Sequence, residues 1–236
     1  ILNVTLDEKN RPNVEQQINQ FLSELPEGPV LEANWGFQPP QPFEGMTIPS
    51  QVNYVGKGAD LFKLGYRFDG SALVITRYLR NVWLWDRVRV QGGAYGAFSL
   101  FDRLSGVLTF VSYRDPNLLK TLEVFDLTAD FLRDTDLSNE ELTKSIIGAI
   151  GDLDAHMLPD AKGYTSLLRY LIGDTEDARQ QLRDQIFATG KGDFKAFASI
   201  MEEVKKNGFV KVLGSPSAIE AANSERSGWL DVQRVL

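Results

Sequence analysis

The stretch Arg87–Asn117 reads RVRVQGGAYGAFSLFDRLSGVLTFVSYRDPN, and its punctuation decides the fold. A helix ends at its left edge, where Gly92 and Gly93 suit a sharp exit because glycine takes backbone angles closed to other residues. Tyr95 stands just past that exit, at the start of a strand in which Phe98 and Leu100 share a face by two-residue alternation. Asp102 to Gly106 is a hairpin loop and Val107 to Tyr113 the returning strand. Asp115-Pro116 is expected to open the next helix, aspartate as N-cap and proline at the first helical position. The polar residues of interest are Arg89 and Tyr95. An arginine and a tyrosine beside a rigid turn can present a cation and a phenol to one ligand. Composition alone favours a surface arginine and a packed tyrosine.

Upstream, Ser71 is expected to cap a helix with Ala72, Ile75, Leu79 and Val82 on one side, ending in Trp83 and Trp85, both read as core. Ser50 to Val55 reads as a strand. Residues 27–49 are rich in proline and glycine and read as an extended connection. Before it, Asn13 is expected to cap a helix with an apolar stripe of Val14, Ile18, Phe21, Leu22 and Leu25. The opening ILNVTL alternates like a strand already under way, so Ile1 reads as a cut inside a longer polypeptide.

Downstream the pattern turns helical. Leu119, Leu122, Ala129 and Leu132 mark one helix, and Ser138 with Glu141 is a capping box for the next. Further helices carry Tyr164, Leu167, Leu168 and Leu171, then Leu182 and Ile186, then Phe194, Phe197, Met201 and Val204 before Gly208. Phe209 to Leu213 is a last strand, and Ser215-Pro216 opens a terminal helix. The sum is α+β: a mixed, largely antiparallel sheet with helices packed on one face.

Bulk properties exclude several chemistries. With 236 residues and 43% hydrophobic content the chain supports a real core. It has no cysteine, so thiol nucleophiles and thiolate metal sites are out. Its one histidine, His156, rules out a multi-histidine centre, and no metal or cofactor site is expected in this chain. A net charge of -7 argues against nucleic acid, whose phosphates need a basic face. No apolar run is long enough for a transmembrane helix.

A resemblance sharpens the functional reading. QVNYVGK (Gln51 to Lys57), WLWDRVRVQGGAYG (Trp83 to Gly96), SYRDPNLLKTL (Ser112 to Leu122), LPDAKGYTSLLRYL (Leu158 to Leu171) and the terminal AANSERSGWLDVQRVL resemble, in order, the C-terminal part of pitrilysin/insulinase-type zinc peptidases, most of all the presequence-protease branch. The resemblance implies that residues 1–236 form a single C-terminal domain of a longer metalloendopeptidase that degrades short unstructured peptides such as cleaved targeting peptides. It implies that zinc sits in the parent's N-terminal half, that this half and the peptide substrate are the partners, and that the isolated chain is inactive. It places the parent in the mitochondrial matrix or chloroplast stroma, and otherwise in the cytoplasm. It carries a substrate-contacting Arg and Tyr, six residues apart around Gly-Gly, onto Arg89 and Tyr95. The alternative is a non-catalytic subunit or peptide-binding scaffold of the same fold.

Overall fold

Six strands form one sheet among the described residues, most of them alternating so that one face is buried. In the computed structural model, which describes residues 1–29, 32–36 and 39–235, these are β1 (Phe43–Thr47), β2 (Tyr54–Asp60), β3 (Gly96–Phe101), β4 (Val107–Tyr113), β5 (Phe209–Gly214) and β6 (Asp231–Arg234). They lie in the order β3-β4-β2-β5-β1-β6. The pairs β3/β4, β2/β4 and β2/β5 are antiparallel, while β1 runs parallel to both β5 and β6. The sheet is therefore mixed and largely antiparallel, as expected.

One face carries the core. Val55, Leu108, Phe110, Val210 and Val212 point into it, and helices cover them. These are α2 (Ser71–Tyr78), which continues without a break as a π-wound segment (Leu79–Gln91), then α3 (Leu119–Asp126), α4 (Thr128–Asp134), α5 (Asn139–Leu153), α8 (Lys191–Asn207) and α9 (Pro216–Glu225). Ser138 and Glu141 form the expected capping box of α5. The stripe of Phe194, Phe197, Met201 and Val204 on α8 is buried, as its spacing requires.

A buried lysine ties the helices to the sheet. Lys57 points inward from β2, and its ammonium bonds the Asp126 carboxylate at the end of α3 and the Lys205 carbonyl (3.0 Å). A charge out of water needs both partners, because desolvation otherwise outweighs any gain.

The chain gathers into two compact units. The larger holds residues 40–154 and 180–236; the smaller holds 1–39 and 155–179. The smaller contains α1 (Arg11–Glu24) and α6 (Pro159–Ile172), with Asn3 donating to the Gly163 carbonyl at 3.0 Å. α7 (Glu176–Ala188) starts in the smaller unit and ends in the larger, where Leu182 and Ile186 are buried.

Several local expectations are corrected. Residues 1–6 form no strand; they are exposed and pair with no other strand among the described residues. α1 starts at Arg11, after a 3₁₀ turn at Glu8–Asn10, so Asn13 lies inside the helix rather than capping it. The stretch 27–49, of which residues 30, 31, 37 and 38 lie outside the described residues, contains β1. β2 starts at Tyr54, later than the Ser50–Val55 expected. The single helix read from Leu119 to Leu132 is two, divided at Leu127. Helix α3 begins only at Leu119, because Asp115 is spent elsewhere. Its backbone exchanges two 2.8 Å hydrogen bonds with Asn53, and its carboxylate accepts from the Asn117 amide and the Thr121 hydroxyl. β6 was not foreseen, since all four of its residues are exposed and show no alternation.

Candidate functional site

The two long helical turns before Gly92 position the site. The π-wound segment repeats one device: a tryptophan followed four residues later by an arginine. The Arg87 guanidinium lies 5.3 Å from the Trp83 ring, and the Arg89 guanidinium 3.9 Å from the Trp85 ring. The two tryptophans then part company. Trp83 is buried, stacks on Phe131 at 4.5 Å, and donates its indole N–H to Val124 and Thr128 (both 3.2 Å). It anchors the segment. Trp85 is 50% exposed, which corrects the reading of both as core. It serves instead as a platform on which the Arg89 fork rests, a cation–π contact that leaves the N–H edges of the guanidinium for a ligand.

The exit follows the sequence reading. A Cβ on Gly92 would sit 2.5 Å from the Val88 carbonyl, and Gly93 takes φ +80°, so both positions require glycine. Gly93 and Ala94 donate back to the Arg89 and Val88 carbonyls at 3.0 and 3.1 Å. The chain then enters β3 with the Tyr95 amide donating to Tyr113 at 3.1 Å.

Tyr95 is 68% exposed, so its hydroxyl is open to a ligand. Its ring is held edge-on to Tyr113 (5.8 Å), which meets Tyr54 in the same way (5.4 Å). The Arg114 guanidinium lies 6.0 Å from the Tyr95 ring. Arg114 takes φ +49°, a left-handed angle unusual for arginine. The residues that follow it are pinned: the Asp115 backbone to Asn53, and the Asn117 side chain to the Gly92 carbonyl at 2.6 Å.

Arg89, Tyr95, Trp85, Val52 and Arg114 thus line one open concavity of about 620 Å³. The structure brings together both residues singled out in the sequence. Sequence reasoning missed Arg114, Tyr113 and the exposed role of Trp85. The i, i+4 spacing of Trp85 and Arg89 was the available signal for the last. His156 is exposed, and among the described residues no group of three or more His, Cys, Asp or Glu side chains can hold a metal ion.

Comparison with known proteins shows the family. A family model described as the PreP C-terminal domain matches residues 43–216. The chain belongs to the PreP C-terminal domain family. Within reach of that family, it is 50% identical over its whole length to presequence protease 1, chloroplastic/mitochondrial, of Arabidopsis thaliana, covering 22% of that protein. It is 32% identical to Protein HypA of Clostridium perfringens, over 90% of this chain and 22% of that one. The chain thus spans about a fifth of the length of these relatives. Among solved structures, a protease from Helicobacter pylori superposes with a TM-score of 0.61 at 18% identity, covering 88% of this chain and 53% of the other. A peptidase M16 inactive domain from Pseudomonas fluorescens gives 0.59 at 18%, covering 87% and 51%. At that identity the PreP-family chain shares their fold and nothing further is carried over.

Proposed function

We propose that this chain is the zinc-free C-terminal part of a presequence-protease-like metalloendopeptidase that degrades short unstructured peptides, cleaved targeting peptides among them. The observation that supports it is the shared concavity of Arg89 and Tyr95 in a member of the PreP C-terminal domain family. The names of the relatives support an organellar setting, mitochondrial matrix or chloroplast stroma. In this reading the chain closes a chamber against the N-terminal half of the same protein, which brings the metal and the nucleophilic water. Alone it hydrolyses nothing.

The chemistry assigned to this chain is transition-state stabilisation. Attack on a peptide carbonyl builds negative charge on its oxygen. An exposed phenol donating a hydrogen bond to that oxygen binds the transition state more tightly than the ground state. The phenol is preorganised, since its ring is packed against Tyr113 and the backbone beneath it is pinned. Arg89, its guanidinium 3.9 Å from the Trp85 ring, holds a neighbouring backbone carbonyl in register.

Tyr95→Phe in the full-length enzyme tests this. Loss of one oxyanion donor is expected to lower kcat about a hundredfold with little change in KM. An unchanged kcat contradicts the role.

A further inference from the structure

The walls of the site carry an unbalanced charge. The chain as a whole is acidic, with 32 Asp and Glu against 25 Lys and Arg. Around Tyr95 the balance reverses. The concavity already described continues into a second of about 410 Å³, which shares Trp85, Arg89 and Tyr95 with it and adds Arg80 and Asn81. Together the two are lined by three arginines, Arg80, Arg89 and Arg114, and by no aspartate or glutamate.

Those guanidiniums are not satisfied within the protein. Among the described residues none of the three forms an ion pair. Arg80 makes one 3.3 Å hydrogen bond to the Asn81 side chain, Arg89 rests on Trp85, and Arg114 lies by the Tyr95 ring. Neighbours on the same helix behave otherwise: Arg77 pairs with Asp152, and Arg87 with Asp86 at 3.8 Å. Asp86, three residues before Arg89, is also held by the Gln91 side chain at 2.7 Å, and Asp115, next to Arg114, is buried with its carboxylate accepting from Asn117 and Thr121. Arg114 stands at φ +49°, directly before the pinned backbone of Asp115, which places its side chain beside Tyr95.

Unpaired arginines on partly desolvated aromatic walls select one chemistry. The guanidinium fork matches a carboxylate with two parallel hydrogen bonds, and such charge-assisted bonds are about twice as strong as neutral ones. A backbone carbonyl needs only one N–H donor, which Arg89 supplies in the reading above. Arg80 and Arg114 are then surplus to backbone recognition.

We propose that Arg114 and Arg80 make this groove a carboxylate-recognition subsite, so that it favours peptides carrying a C-terminal carboxylate or an acidic side chain within reach of Tyr95. The proposal rests on the reading of the concavity as a peptide site. It sets substrate preference, whereas Tyr95 sets the rate of the chemical step.

The test uses the full-length enzyme and paired fluorogenic peptides. One pair differs only in a C-terminal carboxylate against a C-terminal amide; the other exchanges Asp for Asn near the scissile bond. At low salt the native enzyme is expected to favour the carboxylate member of at least one pair by about tenfold in kcat/KM, and the gap should narrow as salt is raised. Which pair responds identifies the source of the carboxylate. Arg114→Asn, chosen because asparagine tolerates a left-handed backbone, and Arg80→Gln should each reduce the ratio, and the double variant should bring it near one. Because the readout is a ratio, a variant that folds less well still reports. Equal rates for both members of both pairs in the native enzyme overturn the proposal, as does a ratio that survives the double variant. Tyr95→Phe separates the two readings. If it lowers kcat on all four peptides while the ratios equal one, the subsite fails and the catalytic role stands. If it leaves kcat intact while the arginine variants shift the ratio, the groove recognises peptides without the assigned chemistry.

Discussion

Trp83 and Trp85 are two residues apart in sequence and have opposite fates. Residues two apart on a helix point to nearly opposite sides, so one turns toward Phe131 and the other toward the concavity. Arg89 and Tyr95 were legible because glycines mark the exit and because their spacing matches a known family. Arg114 was not, since a left-handed arginine is held by contacts from Asn53, more than sixty residues earlier, and no local pattern encodes that. A half-buried phenol allows a test at the same level. Burial, with a smaller contribution from Asp69, pushes the Tyr66 phenol up to about 12. Its ring meets Phe197 at 5.5 Å. The sign follows from linkage: the folded state holds the proton longer, so this contribution is complete below about pH 10 and fades as pH rises towards about 12. Denaturation midpoints are expected to fall across that window, and Tyr66→Phe should flatten the fall. A slope unchanged by the substitution would show that other groups control alkaline unfolding.

Some elements carry a strong apolar period legible in the sequence, while others depend on polar or glycine contacts made only in the fold. α8 and the β3–β4 hairpin are of the first kind. β1, with the sequence FEGMT, is of the second. Glu44 pairs with Lys211 across to β5, and Gly45 leaves room for Ile219, whose Cγ2 would lie 2.9 Å from an added Cβ. Neither signal exists until the partner strand and α9 are in place. The junction of β2, α3 and α8 is likewise made by a charge. Asp126→Ala leaves the Lys57 ammonium buried with only the Lys205 carbonyl, and is expected to cost about 3 kcal/mol in urea denaturation. Lys57→Met removes the buried charge itself and should cost clearly less. Equal losses in the two variants would show that packing, not charge burial, governs the junction.

As a whole the molecule combines a covered sheet with a cation-lined concavity at one end of its longest helical run. The α+β class was readable from the order of strands and helices. The division into two units was not, because the residues of 155–179 join the first 39 rather than the helices next to them in sequence. The reading of Tyr95 as an oxyanion donor concerns a transient charge, so the sharpest probe is a stable mimic of that charge. A phosphinic peptide, whose tetrahedral anion imitates the attacked carbonyl, should be bound by the full-length Tyr95→Phe variant about a hundredfold more weakly, while KM for the matching substrate stays within a factor of about two. Equal weakening of inhibitor and substrate, or of neither, would contradict it.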